Sequence, residues 1–374
     1  MKKIYVLILH LLVFLSCKKE TPQPPDTTPA VPAEVDVYVS GYVSDYGDTY
    51  YDVGYPTYWK NGSPVKIGRD FSPDYGYSGG SALSIAVSGN NLYAAGIGLF
   101  VGPYRIGTGV MFWKNGNDVD VWGNSLTGEI YQLSSLAVSN YDVYMLGLGT
   151  ADNATYFKNG SPIVLSNGAE GTMATSIAVS GNDVYVAGIS FNRNYYYGGY
   201  NRMARYWKNG NPVKLTDGTK DAYTTSIAVS GNDVYVSGSE DSIAKYWKNG
   251  KPVNLTEGLT YADANSIAAS GTNVYVAGTQ WDGNIITNAN GITYRNPIAK
   301  YWKNGKPVNL TDGSKWAVAN SIAVSGNDVY VAGFEEDVAS SGNYVAKYWK
   351  NGSPVILGDV SKNSKAYSIF LAPK

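Results

Sequence analysis

From Ser226 to Gly238 apolar and small positions alternate. Ile227 and Val229 fall on one side, and Ser226, Ala228 and Ser230 on the other. After Gly231-Asn232-Asp233 an apolar run resumes at Val234-Tyr235-Val236. A period of two predicts a strand, and Gly, Asn and Asp tolerate the backbone angles of a tight hairpin. The small residues suit a strand packed closely among neighbours. A second pair follows: AKYWK from Ala244 to Lys248, the turn signal Asn249-Gly250, and the short run PVNL from Pro252 to Leu255. The unit therefore reads as four antiparallel strands, A to D. Tyr246 and Trp247 point to opposite faces of strand C, so each is expected to pack against a different neighbouring unit.

The unit recurs. SIAVSGNDVYVAG runs from Ser321 to Gly333, and near-copies begin at Ser84, Ser135, Ser176, Ser226 and Ser266. The aromatic that opens the second phrase stands at Tyr58, Phe112, Tyr156, Tyr206, Tyr246, Tyr301 and Tyr348, at intervals of 54, 44, 50, 40, 55 and 47 residues. Seven copies with no helical period predict an all-β fold, a seven-bladed β-propeller of four-stranded blades. VDVYVSG, from Val35 to Gly41, supplies only the second half of the first phrase, and AYSIFLA, from Ala366 to Ala372, supplies the missing half. N- and C-terminal strands are thus expected to share one blade, which closes the ring and removes free sheet edges.

Strand order then separates two faces. The A–B and C–D turns are short and nearly constant, and the B–C and D–A connections vary. A specific site is expected on the variable face. Its connections carry Tyr50, Tyr51 and Asp52 in blade 1, Tyr195, Tyr196, Tyr197, Tyr200 and Arg202 in blade 4, and Trp281 and Tyr294 in blade 6. Rigid aromatic rings beside polar groups suit the flat faces and hydroxyls of a glycan, or a partner protein. The lysines that recur at the C–D turns, Lys60, Lys114, Lys158, Lys208, Lys248, Lys303 and Lys350, read as solvated turn residues.

The chemistry is bounded by what is missing. The single histidine is His10 and the single cysteine is Cys17, both near the amino terminus. A Ser-His-Asp triad, a histidine-based metal site and an internal disulfide are excluded from the propeller. A net charge of -1 gives no electrostatic case for nucleic acid. No catalytic residue, metal site or cofactor is assigned, although Asp282, Asn284 and Asn288 could offer oxygen ligands to calcium. The weight falls on a non-catalytic recognition or scaffold protein. A carboxylate-dependent glycan hydrolase or lyase is the alternative, with Asp45, Asp48, Asp52, Asp74 and Glu129 available.

The amino terminus reads as an address. Lys2 and Lys3 precede a short apolar run from Ile4 to Leu15, too short to span a bilayer. Phe14-Leu15-Ser16-Cys17 resembles a bacterial lipobox, which implies cleavage after residue 16 and lipidation of Cys17. Residues 17–33 then form a Pro-rich spacer, and residues 34–374 the propeller. Together these features resemble propeller lipoproteins of Bacteroidota type, and the repeats are more distantly similar to the kelch and bacterial β-propeller groups. The resemblance implies an outer-membrane lipoprotein, held by its lipid and facing either the periplasm or the cell surface. A monomer is expected, with a glycan or surface protein as partner.

Overall fold

The structure is a computed structural model. It describes residues 34–44, 54–68, 76–101, 106–119, 133–148, 153–166, 170–191, 202–258, 261–282, 285–287, 293–337 and 343–374. Seven four-stranded antiparallel sheets are arranged radially as a β-propeller. Blade 1 is the shared one. Its strands B, C and D are Val35–Ser44, Tyr55–Lys60 and Ser63–Lys66, and its innermost strand A is Asn363–Pro373. The N- and C-terminal strands pair from Val35 with Pro373 to Ser44 with Asn363. Both run further than the repeat phrases suggest. The innermost strands touch one another in sequence around a complete circuit. The connection between strands B and C of blade 6 adds a small hairpin, Ile285–Thr287 with Thr293–Arg295, that the repeat does not foretell.

The seams between blades hold the core. Trp59, Trp113, Trp207, Trp247, Trp302 and Trp349 are each at most 1 % exposed, which makes the repeated indole structural. Trp247 packs with Tyr185, Leu215 and Ile227 at the seam of blades 4 and 5, whereas Tyr246 packs with Tyr235, Leu255 and Trp302 at the next seam. Opposite faces of one strand thus serve two seams, as its alternation requires. Truncating such an indole to alanine costs about 3–5 kcal/mol.

Every innermost strand carries a bulge at the same place, as between Thr224 and Ser226 or Ala264 and Ser266. The extra residue kinks the strand and frees a side chain for the neighbouring blade. The amides of Asn265 and Asn320 donate to the carbonyls of Ala319 and Ala366 at 2.9 and 2.8 Å, and the Thr225 hydroxyl donates to the Ala264 carbonyl. The serine after the bulge accepts from the next blade. The N–H groups of Ile177, Ile227, Ile322 and Ile369 donate to the hydroxyls of Ser135, Ser176, Ser266 and Ser321 at 3.2–3.3 Å. The bulge also explains the glycine that closes each strand-B phrase. A Cβ at Gly41, Gly96, Gly188, Gly238, Gly278 or Gly333 would lie 1.9–2.2 Å from a strand-A carbonyl oxygen.

The outermost strands manage their edges with proline. Pro64, Pro162, Pro212, Pro252, Pro307 and Pro354 sit in strands D. Without an N–H, proline blunts an edge against pairing with another chain.

Candidate functional site

The face of short turns is a set of structural clasps. In blade 5, Asn249 takes φ +49 in the C–D turn, the left-handed region that asparagine tolerates. Its side-chain oxygen accepts from the Val234 N–H at 2.8 Å and its amide donates to Asp233 at 2.7 Å. Lys248 closes the clasp on Asp233 at 2.8 Å. The same arrangement joins Lys60 to Asp36, Lys158 to Asp142, Lys208 to Asp183 and Lys350 to Asp328. In the other two blades Lys114 and Lys303 lie 5.6 and 5.4 Å from the ring centres of Tyr93 and Tyr275. These lysines are exposed or half-exposed turn residues, as expected, and five of them are in addition ion-paired within their turns. Hydrogen bonds from lysine and asparagine hold Asp142, Asp183 and Asp233 below the usual aspartate range.

The variable face concentrates its described polar chemistry over blades 4 to 6. Blade 5 itself adds little bulk here, because its B–C connection is the two-residue turn Asp241–Ser242, with φ +55 and +61. Such a turn matches the twist of the flanking strands. Beside it, Tyr223 and Asp263 are the second residues of consecutive innermost strands, Ala222–Ser230 and Ala262–Ser270. The Tyr223 hydroxyl donates to Asp263 Oδ1 at 3.0 Å across the seam. Burial raises the Tyr223 phenol well above its ordinary pKa, and the Asp263 charge adds to the effect. The phenol therefore keeps its proton. Tyr261 also hydrogen-bonds Asp263, and burial raises its pKa first. Tyr261 is 53 % exposed, so its ring is open to a ligand. It meets Trp281 edge-on, with ring centres 4.9 Å apart.

Arg202 braces the other side. Its Nε and Nη2 donate to the two carboxylate oxygens of Asp221 at 2.9 and 2.5 Å, and its guanidinium lies 5.5 Å from the Tyr223 ring centre. The fork holds Asp221 below and Arg202 above their ordinary pKa values. Further out, Lys220 pairs with Asp241, Lys245 with Glu240 and Lys300 with Asp282.

Two of the residues expected at the site, Arg202 and Trp281, thus join this sector. Tyr294 pairs through its backbone with Ile286 in the small hairpin. Tyr50, Tyr51, Asp52, Tyr195, Tyr196, Tyr197, Tyr200 and Cys17 lie outside the described residues, as do Asn284 and Asn288 of the calcium candidate. Its third member, Asp282, is ion-paired with Lys300 at 3.2 Å. Among the described residues no three His, Cys, Asp or Glu side chains gather as a metal site, and no helix is long and apolar enough to cross a membrane.

Tyr223, Asp263, Asp221 and Tyr261 lie at or just before the heads of innermost strands, outside the longest loops, so loop content alone does not mark them. One signal was available. Two residues before the strand-C Trp or Phe, blades 4 to 7 carry Arg205, Lys245, Lys300 and Lys347, whereas blades 1 to 3 carry Thr57, Met111 and Thr155. Lys245 and Lys300 are buried against Glu240 and Asp282, and Lys347 is ion-paired with Glu335. That asymmetry marks the polar half of the ring.

Residues 79–101, 171–190 and 318–338 match the LVIVD repeat, in the A–B strand pairs of blades 2, 4 and 7. No curated protein matches the chain. Among solved structures, the fold is similar to that of a neuraminidase-like protein from a flat-faced bat isolate of Peru, at 11 % identity and a TM-score of 0.42, covering 91 % of this chain and 97 % of that one. It is also similar to a Bacillus subtilis arabinanase, at 12 % identity and 0.32, covering 61 % and 98 %. A third is the catalytic domain of a Coprinopsis cinerea α-L-arabinofuranosidase, at 10 % and 0.27, covering 49 % and 67 %. The expectation of a non-catalytic protein finds no support among these neighbours, two of which bear enzyme names. The likeness is one of fold, and no residue role comes with it.

Proposed function

We propose that this protein acts on a glycan at the variable face over blades 4 to 6, as a carboxylate-dependent hydrolase or lyase. The observation that carries the reading is the Tyr223–Asp263 hydrogen bond beside the open Tyr261–Trp281 aromatic pair. As the glycosidic bond breaks, Asp263, oriented by the Tyr223 hydroxyl, stabilises the positive charge that develops on the sugar, while water adds at the anomeric carbon and its proton passes to the departing oxygen. Asp221, oriented by both arms of Arg202, is the second carboxylate within the cluster. Tyr261 and Trp281 offer the apolar surface on which a sugar ring stacks.

The test is product release from a polysaccharide panel, read as new reducing ends for hydrolysis and as ultraviolet absorbance of an unsaturated sugar for elimination. Asp263→Asn is expected to lower turnover by at least about 100-fold while glycan binding persists. Absence of product from every polysaccharide, with the intact protein still folded, overturns the catalytic reading.

The site belongs, in this proposal, to a lipoprotein of Bacteroidota type anchored at the outer membrane through Cys17, beyond a Pro-rich spacer. The unique cysteine behind a short apolar run supports the anchor. Cys17→Ser is expected to release the protein from membranes, and equal incorporation of labelled fatty acid into this variant would rule the anchor out.

A further inference from the structure

Four cations over blades 4 to 6 are ion-paired. Arg202 is spent on Asp221, Lys220 on Asp241, Lys245 on Glu240 and Lys300 on Asp282. Among the described carboxylates of this sector, Asp217, Glu257 and Asp312 also have no cation partner but are exposed, whereas Asp263 is half-buried. Its partners are the neutral hydroxyls of Tyr223 and Tyr261, and among the described residues no cation pairs with it. It lies at the head of an innermost strand, half-buried, next to the exposed Tyr261 ring and the Trp281 indole. An unneutralised carboxylate beside electron-rich rings attracts a cation by charge and by the ring faces together. It repels a carboxylated or sulfated sugar.

We infer that the glycan taken at Asp263 carries a protonated amine, as in a polymer of free hexosamine, and that acidic sugars are excluded. This rests on the hydrolytic form of the glycan reading above, since elimination needs an acidic sugar, and it names the substrate class of that site. Asp263 would pair with the ammonium group, Tyr261 and Trp281 would hold the sugar face, and Tyr223 would keep the carboxylate oriented. The Arg202–Asp221 fork carries no net charge and leaves the preference to Asp263.

The experiment measures binding of four tetrasaccharides to the full chain by calorimetry. They are β-1,4-linked glucosamine, its fully N-acetylated form, cellotetraose and tetragalacturonate. The free amine is expected to bind about tenfold or more tighter than the N-acetylated and neutral forms, an advantage that shrinks as salt is raised. Asp263→Asn should bring amine and acetamide to within about twofold. Tyr261→Ala should weaken both equally. Melting curves on the same preparations check the fold, and Tyr261→Phe, which keeps the ring, should bind within about twofold of the intact chain. If acetylated, neutral or acidic oligomers bind as well as the amine, the inference falls while the glycan reading stands. If no oligomer binds and no polysaccharide is cleaved, both fall.

Discussion

The hydroxyl of Tyr223 meets the carboxylate of Asp263 at 3.0 Å, across 40 residues of chain and one blade seam. Neither residue lies in the repeated phrase. Their meeting depends on two bulged strands standing side by side at the hub, so whatever moves the bulge moves the pair.

Removal of the phenolic oxygen is the mildest test of that pair. Tyr223→Phe keeps the ring against Arg202 and takes away the hydrogen bond to Asp263. Stability should fall by only about 1 kcal/mol. Turnover should fall by about tenfold, because Asp263 loses the hydroxyl that orients it. A variant that retains full turnover would show that Asp263 does not depend on Tyr223 for its position.

Backbone crowding at the bulge gives a second test. A Cβ on Gly238 would lie 2.0 Å from the Tyr223 carbonyl oxygen. Gly238→Ala should cost about 2–4 kcal/mol and disturb the site through Tyr223 itself. Gly231 provides the control. At φ +58 its Cβ would meet no atom within 4 Å, and Gly231→Ala should cost only about 1 kcal/mol from backbone strain. Urea denaturation of the two variants separates crowding from strain.

The clasps predict how stability varies with pH. Asp36, Asp142, Asp183, Asp233 and Asp328 are all held below the ordinary aspartate value by their turn lysine and asparagine. A carboxylate depressed in the folded state contributes stability that is complete above its unfolded pKa, about 3.9. That contribution is lost as pH falls through the folded values. The melting temperature should therefore hold steady down to about pH 5 and drop below about pH 4. Replacing these five aspartates with asparagine should flatten that drop; an unchanged acid limb would show that the clasps do not govern it.

Ring closure can be tested from the end of the chain. The strand Asn363–Pro373 is the innermost member of blade 1, and Ile369 and Ala366 pack there with Val37, Val39 and Trp59. Deleting residues 366–374 strips that seam and exposes the strand Val35–Ser44 as an edge. Cooperative thermal unfolding should be lost. A truncated chain that melts like the intact one would mean that blade 1 closes by some other contact.

What could be read along the chain was whatever recurs within a unit. The period of two, the turn residues and the split phrase at Val35 and Ala366 fixed strand order, blade number and the shared blade, because each is a local pattern copied seven times. Burial of the indoles followed from the same alternation. Other features depend on neighbours distant in sequence. The asparagine of Asn249 recurs in all seven blades and the aspartate of Asp233 in five, yet only folding brings the two turns together as a clasp. Gly238 looked like the end of a strand until the bulge opposite it left no room for a Cβ. Arg202 and Trp281 were visible as loop residues, but Asp221, Tyr223, Tyr261 and Asp263 were not. Their chemistry comes from convergence at a seam, and a seam is made by residues about one blade apart, where each repeat differs from the next.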